Sequence, residues 1–167
     1  VSLIQSNFYG IGSRIGVGSY GFFLHNRGCG FNLIKGHPNS LGPNKKPLHT
    51  LSPTIWSKNG SLDFITGTRG GRYQPQLLAQ TILPYILKES SFEEIMKKPR
   101  WTIEYFGSDT SSNIKFEFIE ESEVSSLEEK GHKISIENKL IGGYGPISTI
   151  YKNSDGNFVG VPDVRVG

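Results

Sequence analysis

The uneven distribution of glycine is the feature that most constrains the fold of this chain. Nine of its 21 glycines lie between Gly10 and Gly42, where they supply positive φ angles and allow backbones to approach closely. Such a density suits short strands joined by tight turns. Further along, Asn59-Gly60 is a strong signal for a hairpin. Strands are therefore predicted over residues 1–6, 21–25, 54–57 and 62–66.

Periodicity predicts helices in the middle of the chain and strands in its tail. Leucine and isoleucine recur at spacings of three and four over residues 74–88, where Pro84 should kink the helix or end its first part. Ser91 and Glu94 form a capping box that starts a second helix, which should stop before Pro99. Further predictions are a helix over 122–130 and strands over 115–119, 133–136, 147–151 and 158–161. This order indicates a mixed α and β fold in one unit over residues 1–167.

Composition argues against several classes of protein. The net charge is +3, and the basic residues form no stripe with interleaved aromatic residues, so we do not expect nucleic-acid binding. No apolar run approaches the roughly 18 residues of a membrane-spanning helix. One cysteine excludes a disulfide framework, and the four histidines lack the spacing of a helical metal pair. We expect neither a metal nor another cofactor.

Residues 16–21, Gly-Val-Gly-Ser-Tyr-Gly, match the GxGxxG pattern of dinucleotide-binding loops. In that motif a helix follows directly and points its N-terminus at the pyrophosphate. Here Phe22-Phe23-Leu24 follows, which indicates a strand. The sequence therefore favours a turn or bulge over a nucleotide site.

A second glycine motif, Thr66-Gly67-Thr68-Arg69-Gly70-Gly71, lies between a predicted strand and a predicted helix. Because Gly70 and Gly71 carry no Cβ, both N–H groups can point at one oxygen, as in an oxyanion hole. The same pair could instead hold a phosphate or carboxylate at the helix N-terminus, or form a plain turn. Spacing alone leaves these three interpretations open.

Two other segments carry groups suited to binding a carboxylate. Residues 49–54, His-Thr-Leu-Ser-Pro-Thr, bring hydroxyl groups together before a strand, although hydroxyls in such positions commonly cap turns. Arg27 lies among glycines at the end of a predicted strand, and its forked, permanently charged guanidinium matches a carboxylate. The sequence leaves open whether Arg27 binds an anion or is a solvated turn residue.

Taken together, these segments resemble the C-terminal, small-subunit half of gamma-glutamyltransferase-like proteins, in particular their acylase-like branch. The resemblance covers nearly the whole chain, and its most specific part is the block over residues 42–54. The matching stretches are Val-Ser-Leu-Ile-Gln-Ser-Asn at 1–7, Leu-His-Asn-Arg-Gly at 24–28, Gly-Pro-Asn-Lys-Lys-Pro-Leu-His-Thr-Leu-Ser-Pro-Thr at 42–54, Thr-Gly-Thr-Arg-Gly-Gly at 66–71, Ala79, Pro99-Arg100-Trp101 and Asp163-Val164-Arg165.

The resemblance implies an N-terminal nucleophile hydrolase. Its α+β fold is a four-layer αββα sandwich of mainly antiparallel sheets, of which this chain supplies part. In such proteins a precursor cleaves itself, and a new N-terminal Thr attacks the amide while its own α-amino group acts as base. The acyl group then passes to water or to an acceptor amine. We expect that Thr to lie before Val1, so that this truncated small-subunit portion is inactive without the large-subunit half of its precursor.

The resemblance also implies a role for Gly70 and Gly71, which correspond to the backbone donors of the family's oxyanion hole. Asn7 corresponds to an Asn near the α-carbon groups of the substrate. These three residues are therefore candidate site residues.

Four further positions bear on substrate choice. His49 and Thr50 correspond to two Ser residues that bind the substrate's α-carboxylate. Arg27 and Gly30 stand where the glutathione-cleaving members have Gln and an Asp that pairs with the substrate's α-ammonium. Because Arg27 repels an ammonium and attracts a carboxylate, we expect little preference for free γ-glutamyl groups and favour an acylase or an acidic amide substrate.

The leading hypothesis is a hydrolase or acyltransferase that acts on small γ-glutamyl or related acyl amides or peptides, as in glutathione metabolism. The alternative is a non-catalytic binding or assembly domain that keeps the scaffold, consistent with the departures at Arg27, Gly30 and His49. A lone chain would expose faces that its partner half covers, so we expect a homo- or hetero-oligomer. The chain opens without the basic region of a signal peptide, which favours a cytoplasmic location.

Overall fold

A computed structural model describes residues 1–104 and 113–166. Residue contacts divide the chain into two compact units. The first, Leu3–Leu51, is called the loop unit, and the second, Ser52–Gly167 together with Val1–Ser2, is called the sheet unit. That residues 1–167 act as one unit stays a prediction.

Turns dominate the loop unit. It contains two 3-10 helices, Gly18–Tyr20 and Arg27–Gly30. Two isolated bridges join Gly16 to Phe23 and Asn32 to Ser40. The unit therefore depends on local hydrogen bonds between turns, not on a continuous ladder.

The strands predicted over residues 1–6 and 21–25 are wrong. Neither segment pairs with a strand among the described residues, and Phe23 makes only an isolated bridge to Gly16, so neither segment forms a ladder. The backbone also has positive φ angles at Gly18 (38°) and Gly21 (72°), which break extended geometry. This agrees with the interpretation of residues 16–21 as a turn, since no helix follows them.

The sheet unit follows the sequence predictions more closely, apart from one strand, β3, that they missed. Its strands and helices, in chain order among the described residues, are β1 Thr54–Lys58, β2 Ser61–Thr68, α1 Gln74–Ile86, α2 Phe92–Ile95, β3 Trp101–Glu104, β4 Asn113–Phe116, α3 Glu121–Glu129, β5 Lys133–Ile136, β6 Ile147–Lys152 and β7 Phe158–Val161.

Four strands form an antiparallel sheet in the order β1-β2-β6-β7. The turn between β1 and β2 has positive φ at both Asn59 (52°) and Gly60 (76°), as a two-residue hairpin turn requires. The predicted hairpin is thereby confirmed. Strand β6, which begins at Ile147, pairs directly with β2, and β2 leads into Gly70 and Gly71.

One face of this sheet packs against α1 and α2 and forms the hydrophobic core. The buried core side chains are Phe64, Leu78, Ile82, Phe92, Ile95, Met96, Ile147 and Val161. The opposite face carries Ile55, Ile65 and Ile150, which lie side by side in register. Ile55 is 60% exposed and Ile150 is 42% exposed, so within the described chain this face is apolar and only partly covered.

Local signals start and end the two helices. The Ser91 side chain accepts a hydrogen bond from the Glu94 N–H (3.3 Å), and Glu94 Oε2 accepts one from the Ser91 N–H (2.8 Å). The predicted capping box is therefore confirmed. Helix α1 continues through Pro84 and ends at Ile86, and just beyond it Lys88 adopts a positive φ of 60°, the left-handed conformation common after helix C-termini.

A second sheet has the order β3-β4-β5, with β3 antiparallel and β5 parallel to β4. Two glutamines of α1 bond to the free edge of β3. Gln76 Oε1 accepts from the Ile103 N–H (2.7 Å), and the Gln80 amide both accepts from the Trp101 N–H (3.1 Å) and donates to its carbonyl (2.9 Å). No described helix combines the length and apolar character of a membrane span.

Candidate active site

The Gly70-Gly71 turn connects β2 to α1. Both glycines have positive φ, 122° at Gly70 and 55° at Gly71, a region that side chains with a Cβ rarely adopt. A 3-10 turn over Gly71–Tyr73 follows, and α1 begins at Gln74. Within the described chain, the N–H groups of Gly70 and Gly71 donate no hydrogen bond. Two consecutive donors are therefore available to an anion at the start of the helix.

Close packing against Leu77 and Gly145 fixes the position of this turn. A Cβ at Gly70 would lie 3.0 Å from Cδ1 of the buried Leu77. Gly145 approaches the turn even more closely, because a Cβ there would lie 2.0 Å from the Arg69 carbonyl oxygen. The Thr68 hydroxyl lies 2.8 Å from that same oxygen and 3.1 Å from the Gly145 oxygen, so it can donate to either. These contacts fix the backbone that leads into the glycine pair.

Residues 141–147, called the supporting loop, supply Gly145 to this packing. Arg100 bonds to two of the loop's carbonyl oxygens, since its Nη1 donates to Tyr144 (3.1 Å) and Gly145 (2.8 Å). Main-chain N–H groups at the loop's two ends donate hydrogen bonds to carboxylates. Ile141 donates to Glu117 Oε1 (2.7 Å), and Ile147 donates to Asp163 Oδ2 (2.8 Å).

Those side chains belong to a buried ion-pair network of Arg100, Glu117, Asp163 and Arg165. Arg100 Nη2 lies 2.6 Å from Asp163 Oδ2, and Arg165 Nη1 lies 3.1 Å from Asp163 Oδ1. Arg165 also pairs with Glu117, with Nε donating to Oε1 at 2.6 Å and Nη2 contacting Oε2. Two guanidinium groups thus balance two carboxylates, as buried charges require.

The network favours the ionised form of Asp163. Burial by itself would raise the pKa of this carboxyl. The N–H groups of Ile147 and Arg165 and the guanidinium of Arg100 outweigh burial and lower its pKa below the ordinary value of 3.8. Asp163 therefore stays charged at neutral pH and holds both Arg100 and the end of the supporting loop.

The sequence pointed to only part of this network. Arg100, Asp163 and Arg165 lie in stretches that match the family, but the sequence predicts no function for them or for Glu117. One signal was available, because Glu117 is an acidic residue within the alternating segment Lys115-Phe116-Glu117-Phe118. The Arg100–Asp163 and Glu117–Arg165 ion pairs join residues 63 and 48 positions apart, which no local pattern reveals.

Arg27 and Thr50, predicted to bind a carboxylate, lie together in the loop unit. Arg27 Nη1 donates to Thr50 Oγ1 (3.3 Å), and the guanidinium carbon lies 4.6 Å from the centroid of the Phe8 ring. The other terminal nitrogen, Nη2, is buried and has no hydrogen-bond partner within the described chain. Arg27 is therefore not simply a solvated turn residue.

Asn26 positions the segment that carries Arg27. Its side-chain amide donates to the carbonyl oxygens of Tyr9 and Gly12, both at 3.0 Å, and accepts from the Tyr9 N–H at 2.9 Å. Its own N–H donates to the Asn7 carbonyl (3.1 Å). The predicted site residue Asn7 is thus joined through its backbone to the residue before Arg27.

The remaining predicted position, His49, lies on the surface beside Thr50 and makes no side-chain hydrogen bond within residues 1–104 and 113–166. A Cβ at Gly30 would lie 3.4 Å from Leu48, so this position has little spare room. The described residues hold no cluster of His, Cys, Asp or Glu suited to a metal ion. The roles assigned to the six site residues stay predictions.

Comparison with known proteins gives consistent matches. A family model described as gamma-glutamyltranspeptidase matches residues 1–167. The oxamate amidohydrolase proenzyme of Klebsiella pneumoniae is 30% identical over 166 residues, which cover 99% of this chain and 31% of that protein. The glutathione hydrolase-like YwrD proenzyme of Bacillus subtilis is 30% identical over 149 residues, which cover 88% of this chain and 27% of that protein.

A solved structure of cephalosporin acylase from Bacillus halodurans matches with a TM-score of 0.82 at 30% identity, over 97% of this chain and 30% of that chain. These matches confirm both the resemblance and the α+β fold predicted from the sequence. The chain spans about a third of the length of the curated relatives it matches.

Proposed function

Because the chain belongs to the gamma-glutamyltranspeptidase family, we propose that it forms the small-subunit portion of an N-terminal nucleophile amidohydrolase or acyltransferase acting on γ-glutamyl or related acyl amides. Its nucleophile is a Thr that precedes Val1 in the full protein, and the chain alone is inactive. The observation that carries the proposal is the Gly70-Gly71 turn, whose two N–H groups have no acceptor within the described chain.

The chemistry assigns a specific role to those N–H groups. When the threonine hydroxyl attacks the amide carbon, its proton passes to the α-amino group and the carbonyl oxygen becomes negatively charged. Gly70 and Gly71 donate to that oxygen as the charge develops. The tetrahedral intermediate then collapses, the amine leaves with a proton, and an acyl-enzyme remains until water or an acceptor amine takes the acyl group.

Rigid support of the turn suits this role. Donors aimed in advance at a developing charge stabilise the transition state without reorganisation during the reaction. Here the Gly145 contact and the Thr68 hydroxyl fix the approach to the turn, and the buried ion-pair network holds Gly145 in place.

We propose that the half of the precursor outside this chain covers the open face of the four-stranded sheet. Ile55, Ile65 and Ile150 provide an in-register apolar surface of the kind that a second sheet packs against. The matched relatives are named proenzymes, which fits a precursor that yields two subunits.

The alternative function is a non-catalytic binding or assembly domain with the same scaffold. It is favoured by the residues at 27, 30 and 49, which differ from those of glutathione-cleaving members. The two functions differ in whether a hydroxyl or thiol nucleophile becomes the first residue of a processed subunit.

Expression of the complete coding sequence tests the proposal. Mass spectrometry should find two subunits, with a Thr as the first residue of the smaller one, and the protein should release amine from acyl amides. An intact single chain, or a first residue without a hydroxyl or thiol, would leave only the binding domain.

A pair of glycine variants tests the role of the turn. Gly71→Ala and Gly60→Ala both place a Cβ in open space at positive φ (55° and 76°), so both carry a similar conformational cost. Only Gly71→Ala strains the proposed donors, and it should lower kcat by about 10²-fold, as loss of one oxyanion donor does. Equal kcat values for the two variants would remove Gly71 from the reaction.

A further inference from the structure

The loop unit carries no acidic residue. Its charged side chains are Arg14, Arg27, Lys35, Lys45 and Lys46, and the first acidic residue of the whole chain is Asp63, beyond the unit. A buried or half-buried guanidinium normally finds a carboxylate in its own fold. The loop unit offers no carboxylate side chain to Arg27.

The hydrogen bonds around Arg27 leave two donors without acceptors. Its Nη1 donates to Thr50 Oγ1, so the hydroxyl acts as acceptor in that bond and its own proton is free to donate. Its Nη2 is shielded from solvent and has no acceptor within the described chain. A buried donor without a partner costs about 1–3 kcal/mol, which an arriving anion would offset.

The guanidinium is also held in a defined plane. Phe8 lies under it at 4.6 Å, within the range of a cation–π contact, and Thr50 fixes one edge. Asn26, hydrogen-bonded to Tyr9 and Gly12, anchors the backbone just before Arg27. The site is therefore preorganised and does not rest on a flexible surface side chain.

We propose that Arg27 and Thr50 form a subsite for one carboxylate group of the substrate, and that the substrate class is small amides that carry a carboxylate but no free α-amino group. Arg27 Nη2 donates to one carboxylate oxygen, and the Thr50 hydroxyl donates to the same group. This inference rests on the proposed function, to which it adds the substrate class.

The same surroundings disfavour an ammonium. An α-ammonium needs a carboxylate or several oxygen acceptors, and the loop unit offers no acidic side chain. Gly30 supplies no side chain, and Leu48 lies 3.4 Å from the place its Cβ would take. An amino acid amide would bring its positive charge close to Arg27 and gain no ion pair within this unit.

Two pairs of small molecules test the subsite in the full-length protein. Glutaramate and L-glutamine are both amides that share a skeleton and differ only in the α-ammonium, and glutarate and L-glutamate are the corresponding acids. Rates of ammonia release give kcat/KM for the amides, and titration calorimetry gives Kd for the acids. We expect kcat/KM to be about tenfold or more higher for glutaramate than for L-glutamine, and Kd to be about tenfold or more lower for glutarate than for L-glutamate. An effect of this size is typical of a charged hydrogen bond that is left unmade.

Variants assign that preference to the subsite. Arg27→Gln should raise the Kd of glutarate by about tenfold or more, and Thr50→Val should raise it by less. Arg27→Lys should keep part of the affinity, because lysine retains the positive charge but lacks the forked guanidinium. Lys35→Gln is the matched control, because it removes one positive charge from an exposed position of the same unit. It should change Kd by less than about twofold, since exposed charges are screened.

The outcomes separate this inference from the proposed function. If the protein hydrolyses amides but Arg27→Gln binds glutarate as well as the parent does, or if L-glutamine is preferred, the subsite is wrong and the amidohydrolase stands. If no amide is hydrolysed while glutarate binding still depends on Arg27, the subsite stands and the proposed reaction is wrong.

Discussion

The two units use arginine in opposite ways. In the sheet unit, Arg100 and Arg165 are buried with Asp163 and Glu117, and their terminal nitrogens contact carboxylates or main-chain oxygens. In the loop unit, Arg27 has a hydroxyl and an aromatic ring as neighbours but no carboxylate, and one of its nitrogens has no partner in the described chain.

Structural arginines can be separated from ligand-binding ones by whether their own fold satisfies all their donors. A guanidinium whose donors are all satisfied by its own fold contributes to shape, and here it shapes the support of the Gly70-Gly71 turn. A guanidinium held in place yet left with a buried free donor is prepared for an external anion. Variants made at matched positions test this distinction.

The largest contrast is expected between Arg100→Gln and Arg27→Gln. Removing Arg100 takes away one of the two ion-pair partners of the buried Asp163 and frees the Tyr144 and Gly145 carbonyls, at a cost of about 3–5 kcal/mol in unfolding free energy. Removing Arg27 eliminates an unsatisfied buried donor along with one hydrogen bond, so stability should change by less than about 1 kcal/mol. Urea unfolding of the full-length protein measures both, and equal losses would refute the distinction.

Acid should weaken the same network through Asp163. The folded state holds the pKa of this carboxyl below its ordinary value of 3.8, so its contribution to stability is present above about pH 4. That contribution is lost as the pH falls through the lowered pKa and the carboxyl takes up a proton. Unfolding free energies measured from pH 7 to pH 2 should therefore fall more steeply for the parent protein than for Asp163→Asn. Parallel curves would show that Asp163 titrates as an exposed carboxyl does.

Gly145→Ala probes the contact between the supporting loop and the Gly70-Gly71 turn. Its Cβ would lie 2.0 Å from the Arg69 oxygen and 2.1 Å from Thr68 Oγ1, so the loop or the turn must move. We expect a loss of about 2–3 kcal/mol from overpacking, with a lower kcat and little change in KM. Gly156→Ala is the control, since its φ of 85° carries similar strain while its Cβ meets nothing closer than 3.8 Å. A Gly145→Ala protein as stable as this control would show that the loop does not support the turn.

Local signals in the sequence were sufficient for much of the sheet unit. Asn59-Gly60 identified the β1–β2 hairpin, and Ser91 with Glu94 identified the start of α2. Strand β3 depends on non-local contacts that no local pattern predicts, because it pairs with β4 on one side and glutamine side chains of α1 bond to its other edge. The two predicted N-terminal strands are wrong because a short apolar segment between turn residues does not show whether a neighbouring strand exists.

The site was predictable where its chemistry lies in adjacent residues or in composition. Gly70-Gly71, Arg27 and Thr50 are predicted in this way and their roles stay predictions, and the lack of acidic residues before Asp63 is also visible in the sequence. The ion-pair network could not be predicted, because Glu117 and Arg165 meet across 48 positions of the chain. Only the fold shows that these charges support the glycine pair.

The smallest contrast with a control is expected at Asn26, which positions part of the loop unit without taking part in either proposed chemistry. Asn26→Asp keeps the acceptor for the Tyr9 N–H but replaces the donor to the Tyr9 and Gly12 carbonyls with a second acceptor. We expect a loss of about 1–2 kcal/mol, because these partly exposed bonds can be exchanged for water. Asn39→Asp, which removes one donor bond to the Gly30 carbonyl, adds the same charge and serves as the control. If Asn26→Asp weakens glutarate binding while Asn39→Asp does not, preorganisation of Arg27 depends on Asn26. Equal binding by both variants would mean that Phe8 and Thr50 alone hold the guanidinium.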